Sequence, residues 1–242
     1  MSKIKIFGTE EKLFKAAADL IVKLSEKSIA KNSRFTIALS GGHTPKRLYE
    51  LLAETSYARA INWKKTFVFW SDERCVPQSS EDNNSHMASL ALLNNVRIPA
   101  ENIFPVPVNF QPAKAAVSYE QMIRTFFKEK EPAFDLVLLG LGDDGHTASL
   151  FPGNIILQEK TALVKEVFVE EKNTYRVTFT VPLINNAKNI LFLVTGEDKS
   201  RIVRKVFLKP AAKQKFPAQL INPTSGNLQW FIDKPASELL ND

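Results

Sequence analysis

"LVLLGLGDDGHTASLFPG", residues 136–153, decides how the rest of the chain is read. Leu136–Leu139 is wholly apolar and empties into a loop carrying Gly140, Gly142, Gly145, Asp143, Asp144 and His146. A short continuous apolar run bounded by glycine is the pattern of a strand buried on both faces, as in a parallel sheet covered by helices. In open sheets of that kind, ligands gather beyond the carboxyl ends of the strands. The stretch therefore predicts an α/β fold with a functional loop at residues 140–147.

Working outward, short β-like runs alternate with helical patterns. Lys3–Phe7, Phe35–Leu39, Thr66–Trp70, Ile103–Val106 and Phe134–Leu139 read as strands, as do Ala162–Val169, Tyr175–Val181, Ile190–Thr195 and Asn227–Ile232. Between them, Glu10–Lys31 carries Leu13, Phe14, Ala17, Leu20, Ile21 and Leu24 at helical spacing, with Thr9 as N-cap. Helices are also expected over Pro45–Glu54, Asn83–Leu93, Ala113–Lys128 and Lys199–Leu208. This alternation predicts a mainly parallel sheet with helices on both faces, in one domain spanning residues 1–242.

The chain has 242 residues, 44% of them hydrophobic, enough to bury a substantial core. No apolar run is long enough for a membrane-spanning helix, so no membrane partner is expected. MSKIKIFGTEEKLF lacks the apolar region of a secretory signal, and the single cysteine, Cys75, excludes an internal disulfide. These features predict a cytoplasmic protein. The formal charge of +6 comes from scattered lysines that alternate with glutamates, as in KEKE at 128–131 and VKEVFVEEK at 164–172. Nucleic-acid binding needs the charge gathered on one face, so no nucleic-acid partner is expected. A small anionic ligand, such as a phosphate ester, accounts for the excess.

Three polar loops follow strands. In ALSGGHTPKRL, residues 38–48, Gly41 and Gly42 allow close backbone approach, Ser40 and Thr44 offer hydroxyls, and Pro45 suits a helix start. Such a loop cradles phosphate at a helix N-terminus, and the same residues also make an ordinary capped turn. In WSDERCVPQSSEDNNSHM, residues 70–87, Asp72, Glu73 and Arg74 follow a strand directly. Arg74 can neutralise a phosphate, or the cluster can be a solvated turn with a local ion pair. Cys75 has no histidine beside it in sequence and reads as a space-filling residue. In the third loop His146 lies two residues after Asp144, and Thr147 is placed to cap a following turn. An imidazole, with an ordinary pKa of about 6.5, accepts a proton near neutral pH, and a neighbouring aspartate can fix its tautomer. His43 and His86 lack that setting.

Three scattered histidines and one cysteine give no zinc spacing, and Asp143 with Asp144 does not define a magnesium site. G-x-S-x-G, G-x-G-x-x-G and the Walker P-loop are absent. A reaction on a phosphorylated small molecule, with neither metal nor cofactor, is the expectation.

Taken together, ALSGGHTP, FWSDERCVP with DNNSHM, LVLLGLGDDGHTASLFPG, YRVTFTVPLINNAKNILFLVTGEDKS and PAQLINPTSGNLQWFID resemble the 6-phosphogluconolactonase family, in its order, from Phe35 to Asp233. The resemblance implies a Rossmann-like sheet shared with glucosamine-6-phosphate deaminases. It implies hydrolysis of a phosphorylated sugar lactone by a monomer or small homo-oligomer. Ser40, Gly41, Gly42 and Thr44 then cradle the substrate phosphate, and Arg176 and Lys199 add positive charge. Arg74 reaches the same ligand or holds Asp144 in place. His146 becomes the general base on water, with Asp144 as its partner, and backbone N–H groups of a glycine loop serve the oxyanion. The deaminases share the Asp-Gly-His core but carry an acid–base glutamate where this chain has Phe151, which cannot relay a proton. Sugar-phosphate-binding regulators of this fold usually add a DNA-binding segment, for which the first strand at Lys3 leaves no room.

Overall fold

In the computed structural model, residues 3–128, 131–208, 216–223 and 225–240 are described; Glu129, Lys130 and Thr224, parts of the charge run and of the last motif quoted above, lie outside them. Continuous apolar runs become the central strands. β1 (Lys3–Phe7), β2 (Phe35–Leu39), β3 (Thr66–Trp70), β5 (Leu136–Leu139), β8 (Asn189–Val194) and β9 (Asn227–Asp233) form one sheet in the order β1-β9-β8-β5-β2-β3, with every pairing parallel. β2 and β5 are buried at every residue, as strands covered on both faces must be.

Helix α1 (Glu10–Asn32) starts where Thr9 accepts the Lys12 N–H, and it packs on β2 and β9. α2 (His43–Ala53) and α3 (Thr55–Ala60) connect β2 to β3. Beyond β3 and the three-residue strand β4 (Asp72–Arg74) come α4 (Asn84–Ala91) and α5 (Pro112–Phe127). Strands β6 (Val164–Val169) and β7 (Thr174–Phe179), α6 (Val181–Asn185) and α7 (Ser200–Leu208) complete the chain's elements up to β9.

The crossovers from β1 to β2 and β2 to β3 run one way across the sheet; those from β3 to β5, β5 to β8 and β8 to β9 run the other way. Right-handed crossovers then put helices on both faces. The direction reverses between neighbouring strands β2 and β5, and a crevice opens outside their carboxyl ends at such a point. Ser40–Gly42 and Gly140–Thr147 leave the sheet there.

The sequence did not announce a second sheet. β4, β7 and β6 form an antiparallel trio in which Asp72, Glu73 and Arg74 face Thr178, Val177 and Arg176. Other boundaries shift. The run Ile103–Val106 is not a strand but a single parallel bridge from Ile103 to Val68, because Pro105 has no N–H to extend the ladder. The strand expected to reach Val181 ends at Phe179, since Val181 and Pro182 open α6. At the edge of β3 that no named strand pairs, Tyr119 covers Trp70, its hydroxyl bonding both the N–H and the C=O of that residue.

Candidate active site

The loop after β5 folds back on itself. Gly142 N–H donates to His146 O at 2.9 Å, and Gly145 N–H donates to Gly142 O at 2.9 Å. The imidazole lies so close over Gly142 that a Cβ there would overlap its Cε1 and Nδ1 at 2.1 Å, so only glycine fits. His146 Nδ1 sits 2.6 Å from Asp144 Oδ1, which also accepts the His146 backbone N–H at 3.0 Å. Burial pushes the Asp144 carboxyl up, but the hydrogen bonds and charge of His146 prevail and hold it below the usual aspartate value. A carboxylate accepts only, so Nδ1 carries a proton, and in the neutral form of the ring the lone pair lies on Nε2. Phe151 stacks on the imidazole with centroids 4.3 Å apart.

A cleft of ≈ 280 Å³ lies at the crevice, walled by Ser40, Gly41, Gly42, Arg74, His146, Arg176 and Lys199, with Asp72 and Asn84 below. An adjoining hollow of ≈ 490 Å³ extends along Gly41–Pro45 to Thr195 and Lys199. Thr44 lines the hollow rather than the cleft, and its hydroxyl is bonded to that of Thr195 at 2.9 Å. Asp144 lies behind the histidine, outside the cleft lining. Thr147 caps no helix: its hydroxyl donates to Gly140 O, and Thr147–Leu150 make a tight turn.

Arg74 and Arg176 are register partners on β4 and β7, two like charges directly opposite each other. Such a pair is unfavourable until an anion sits between or beside it. Burial lowers the Arg176 pKa from its usual value, Asp72 opposes that and Arg74 reinforces it, yet the guanidinium keeps its charge. Arg74 does not hold Asp144: its Nη1 donates to Asp82 O at 2.7 Å and to Asn84 Oδ1 at 2.9 Å, because β4 aims it towards the start of α4. Lys199 is tied to Asp143 at the rim. Ser40 Oγ and Arg176 Nε are buried with no partner among the described residues.

Sequence reading missed the supports of these groups. Tyr49 bonds both the N–H and the C=O of Ser40, and Ser149 donates to Asp72 Oδ2 at 2.6 Å. Asn84 crowds Gly41, where a Cβ would meet its Oδ1 at 1.9 Å. Only the side-chain types signalled these positions, since Tyr49 and Ser40 are 9 residues apart and Ser149 and Asp72 are 77 apart. Cys75 is half-buried, and burial pushes its thiol up to about 11, which suits a space-filling role.

With that geometry in place, the family model described as glucosamine-6-phosphate isomerases/6-phosphogluconolactonase matches residues 8–230. The chain belongs to this family. It is 42% identical over 242 residues to the 6-phosphogluconolactonase of Synechocystis sp., covering 98% of both chains. The structure of the 6-phosphogluconolactonase from Trypanosoma cruzi superposes with a TM-score of 0.89 at 31% identity, over 100% of this chain and 98% of that one. A monomeric glucosamine-6-phosphate deaminase shares the fold, with a TM-score of 0.83 at 19% identity over 98% and 99% of the two chains. Within the family fold, the histidine loop and the paired arginines thus come from three strands that the sheet and its small companion bring to one crevice. Among the described residues no helix is long and apolar enough to cross a membrane, and no cluster of three metal-ligating side chains occurs.

Proposed function

We propose that this chain hydrolyses 6-phospho-D-glucono-1,5-lactone to 6-phospho-D-gluconate, with His146 as general base on water. One observation carries the reading: an aspartate-oriented imidazole lines the same cleft as two arginines facing each other across β4 and β7. The arginine pair calls for an anion, and the imidazole can take a proton.

The substrate phosphate rests on Ser40, Gly41 and Gly42 and on the Thr44 N–H at the start of α2, where first-turn amides lack helical partners. Arg74, Arg176 and Lys199 supply the counter-charge. Anchoring that remote group positions the lactone carbonyl beside Nε2. Water gives a proton to Nε2 as its oxygen bonds to C1, and the carbonyl oxygen becomes anionic, met by backbone N–H groups of the glycine loop. The carbonyl re-forms as the C1–O5 bond breaks, and the imidazolium returns its proton to O5. Asp144 stabilises the imidazolium in between. No step calls for a cofactor or a metal ion.

Amino-sugar deamination is the competing reading, and Phe151 stands against it, since a phenyl ring rather than a carboxylate stacks on the imidazole. The test is a rapid hydrolysis assay with freshly generated lactone, run beside glucosamine 6-phosphate. Lactone opening above the spontaneous rate is expected; ammonia release from the amino sugar reverses the ranking. The reading also takes residues 1–242 as one α/β domain acting in the cytoplasm, as a monomer or small homo-oligomer, which sedimentation of the purified chain checks.

A further inference from the structure

Phe151 is an aromatic ring in contact with two groups of the cleft. It stacks on His146 with centroids 4.3 Å apart and planes 29° apart. The Arg176 guanidinium carbon lies 5.5 Å from the same ring centroid. Yet Phe151 does not line the cleft; with Asp144 it lines a separate hollow of ≈ 420 Å³ behind the loop. The ring therefore touches both groups without itself lining the cleft.

We propose that Phe151 is a positioning residue that seats the imidazole of His146 and the guanidinium of Arg176 against one ring, holding base and anion-binding charge at a fixed separation. The need for such a seat follows from the loop. Among the described residues the ring makes one hydrogen bond, at Nδ1 to Asp144, and held by that bond and its Cβ–Cγ link it can still tilt. Gly142, beneath the imidazole, offers no side chain as a backstop. A flat aromatic face supplies the missing constraint, because offset stacking has a preferred plane and spacing. Arg176 lies beside the same ring, an arrangement in which a guanidinium is attracted by the ring's quadrupole. Among the described residues its only acidic neighbour within an ion-pair distance is Asp72, 3.9 Å away, and its Nε has no partner. The ring thus constrains a cation that hydrogen bonds leave loosely held. A leucine in its place fills most of the volume but offers neither a stacking plane nor a quadrupole.

This inference rests on the lactonase reading, and the experiment separates the two. Wild-type chain, Phe151→Leu and Phe151→Tyr are compared in the lactone assay and by NMR of the histidine ring protons, which three histidines keep resolvable. Phe151→Leu is expected to lower kcat by about 10- to 10²-fold, the scale of a small misplacement of a reacting group. Its affinity for 6-phosphogluconate weakens less than kcat falls, and the ring-current shift of the His146 protons disappears. Phe151→Tyr, which keeps the ring, restores kcat and the shift. Wild-type kcat in Phe151→Leu, an equal loss in both variants, or a His146 signal that does not move overturns the proposal. If wild-type chain leaves the lactone untouched, the functional reading fails instead, while the NMR comparison still reports whether Phe151 seats the imidazole.

Discussion

His146 has one ring nitrogen bonded to Asp144 and one without a hydrogen-bond partner among the described residues, and the difference between them sets what each neighbour can do. Nδ1 faces Asp144 Oδ1 at 2.6 Å, so in the neutral ring the lone pair lies on Nε2. Replacing the ring by methyl removes the proton acceptor but none of the groups that hold the phosphate. His146→Ala should therefore lose about 10²- to 10⁴-fold in kcat, the usual worth of a positioned base, while 6-phosphogluconate affinity by calorimetry stays near wild type. Asp144→Asn can turn a donor amide towards Nδ1 and favour the wrong tautomer, so kcat falls and KM holds. Arg176→Ala acts on the other quantity. It removes half of the arginine pair, and KM should rise well before kcat changes. Steady-state kinetics with fresh lactone checks all three, and a His146→Ala variant with wild-type kcat overturns its role as base.

At the scale of an element, β4 shows how three residues can serve two sides. Alternation along a strand turns Asp72 and Arg74 to the cleft and Glu73 away from it. Glu73 is buried, and its carboxyl accepts the backbone N–H groups of Arg74, Asn84 and Ser85, so it ties β4 to the start of α4. Burial, with a smaller push from Asp72, raises its pKa to about 7 against those hydrogen bonds. The folded state then holds a proton that the unfolded chain releases at its ordinary value, about 4.3 for a glutamate. The resulting stability is complete below that value and is lost as pH rises through 7. Glu73→Gln cannot titrate and sets an amide donor near an N–H, costing about 1–3 kcal/mol. Denaturant melts at pH 5 and pH 8 should show the wild-type advantage over Glu73→Gln growing at the lower pH. A gap that is the same at both rules out a titrating Glu73.

Across the whole molecule, what the sequence disclosed follows from where the information lies. Leu136–Leu139 and Phe35–Leu39 are buried on both faces, so continuous apolarity marked them, and glycines marked their loops. β4 was illegible because Asp-Glu-Arg is a strand only through its pairing with β7, about a hundred residues on. For the same reason Arg74 could be placed near a ligand but not assigned its partners, Asp82 and Asn84. The cleft is thus assembled from loops of β2 and β5 and from the faces of β4 and β7, paired strands that lie far apart in sequence. A ligand touching all of them binds the folded chain alone and must stabilise it. At a concentration 100 times its Kd, 6-phosphogluconate should add about 2.7 kcal/mol, visible as a rise in Tm. At that same concentration the rise should shrink in Arg74→Ala and Arg176→Ala, whose Kd is larger, and persist in His146→Ala, whose phosphate contacts are intact. Inorganic phosphate, which reaches the arginines and the Ser40 loop but not the histidine, should give a smaller rise than the sugar acid at equal concentration. Calorimetric scans of the four proteins decide it: a shift that survives loss of either arginine puts the anion somewhere other than between β4 and β7.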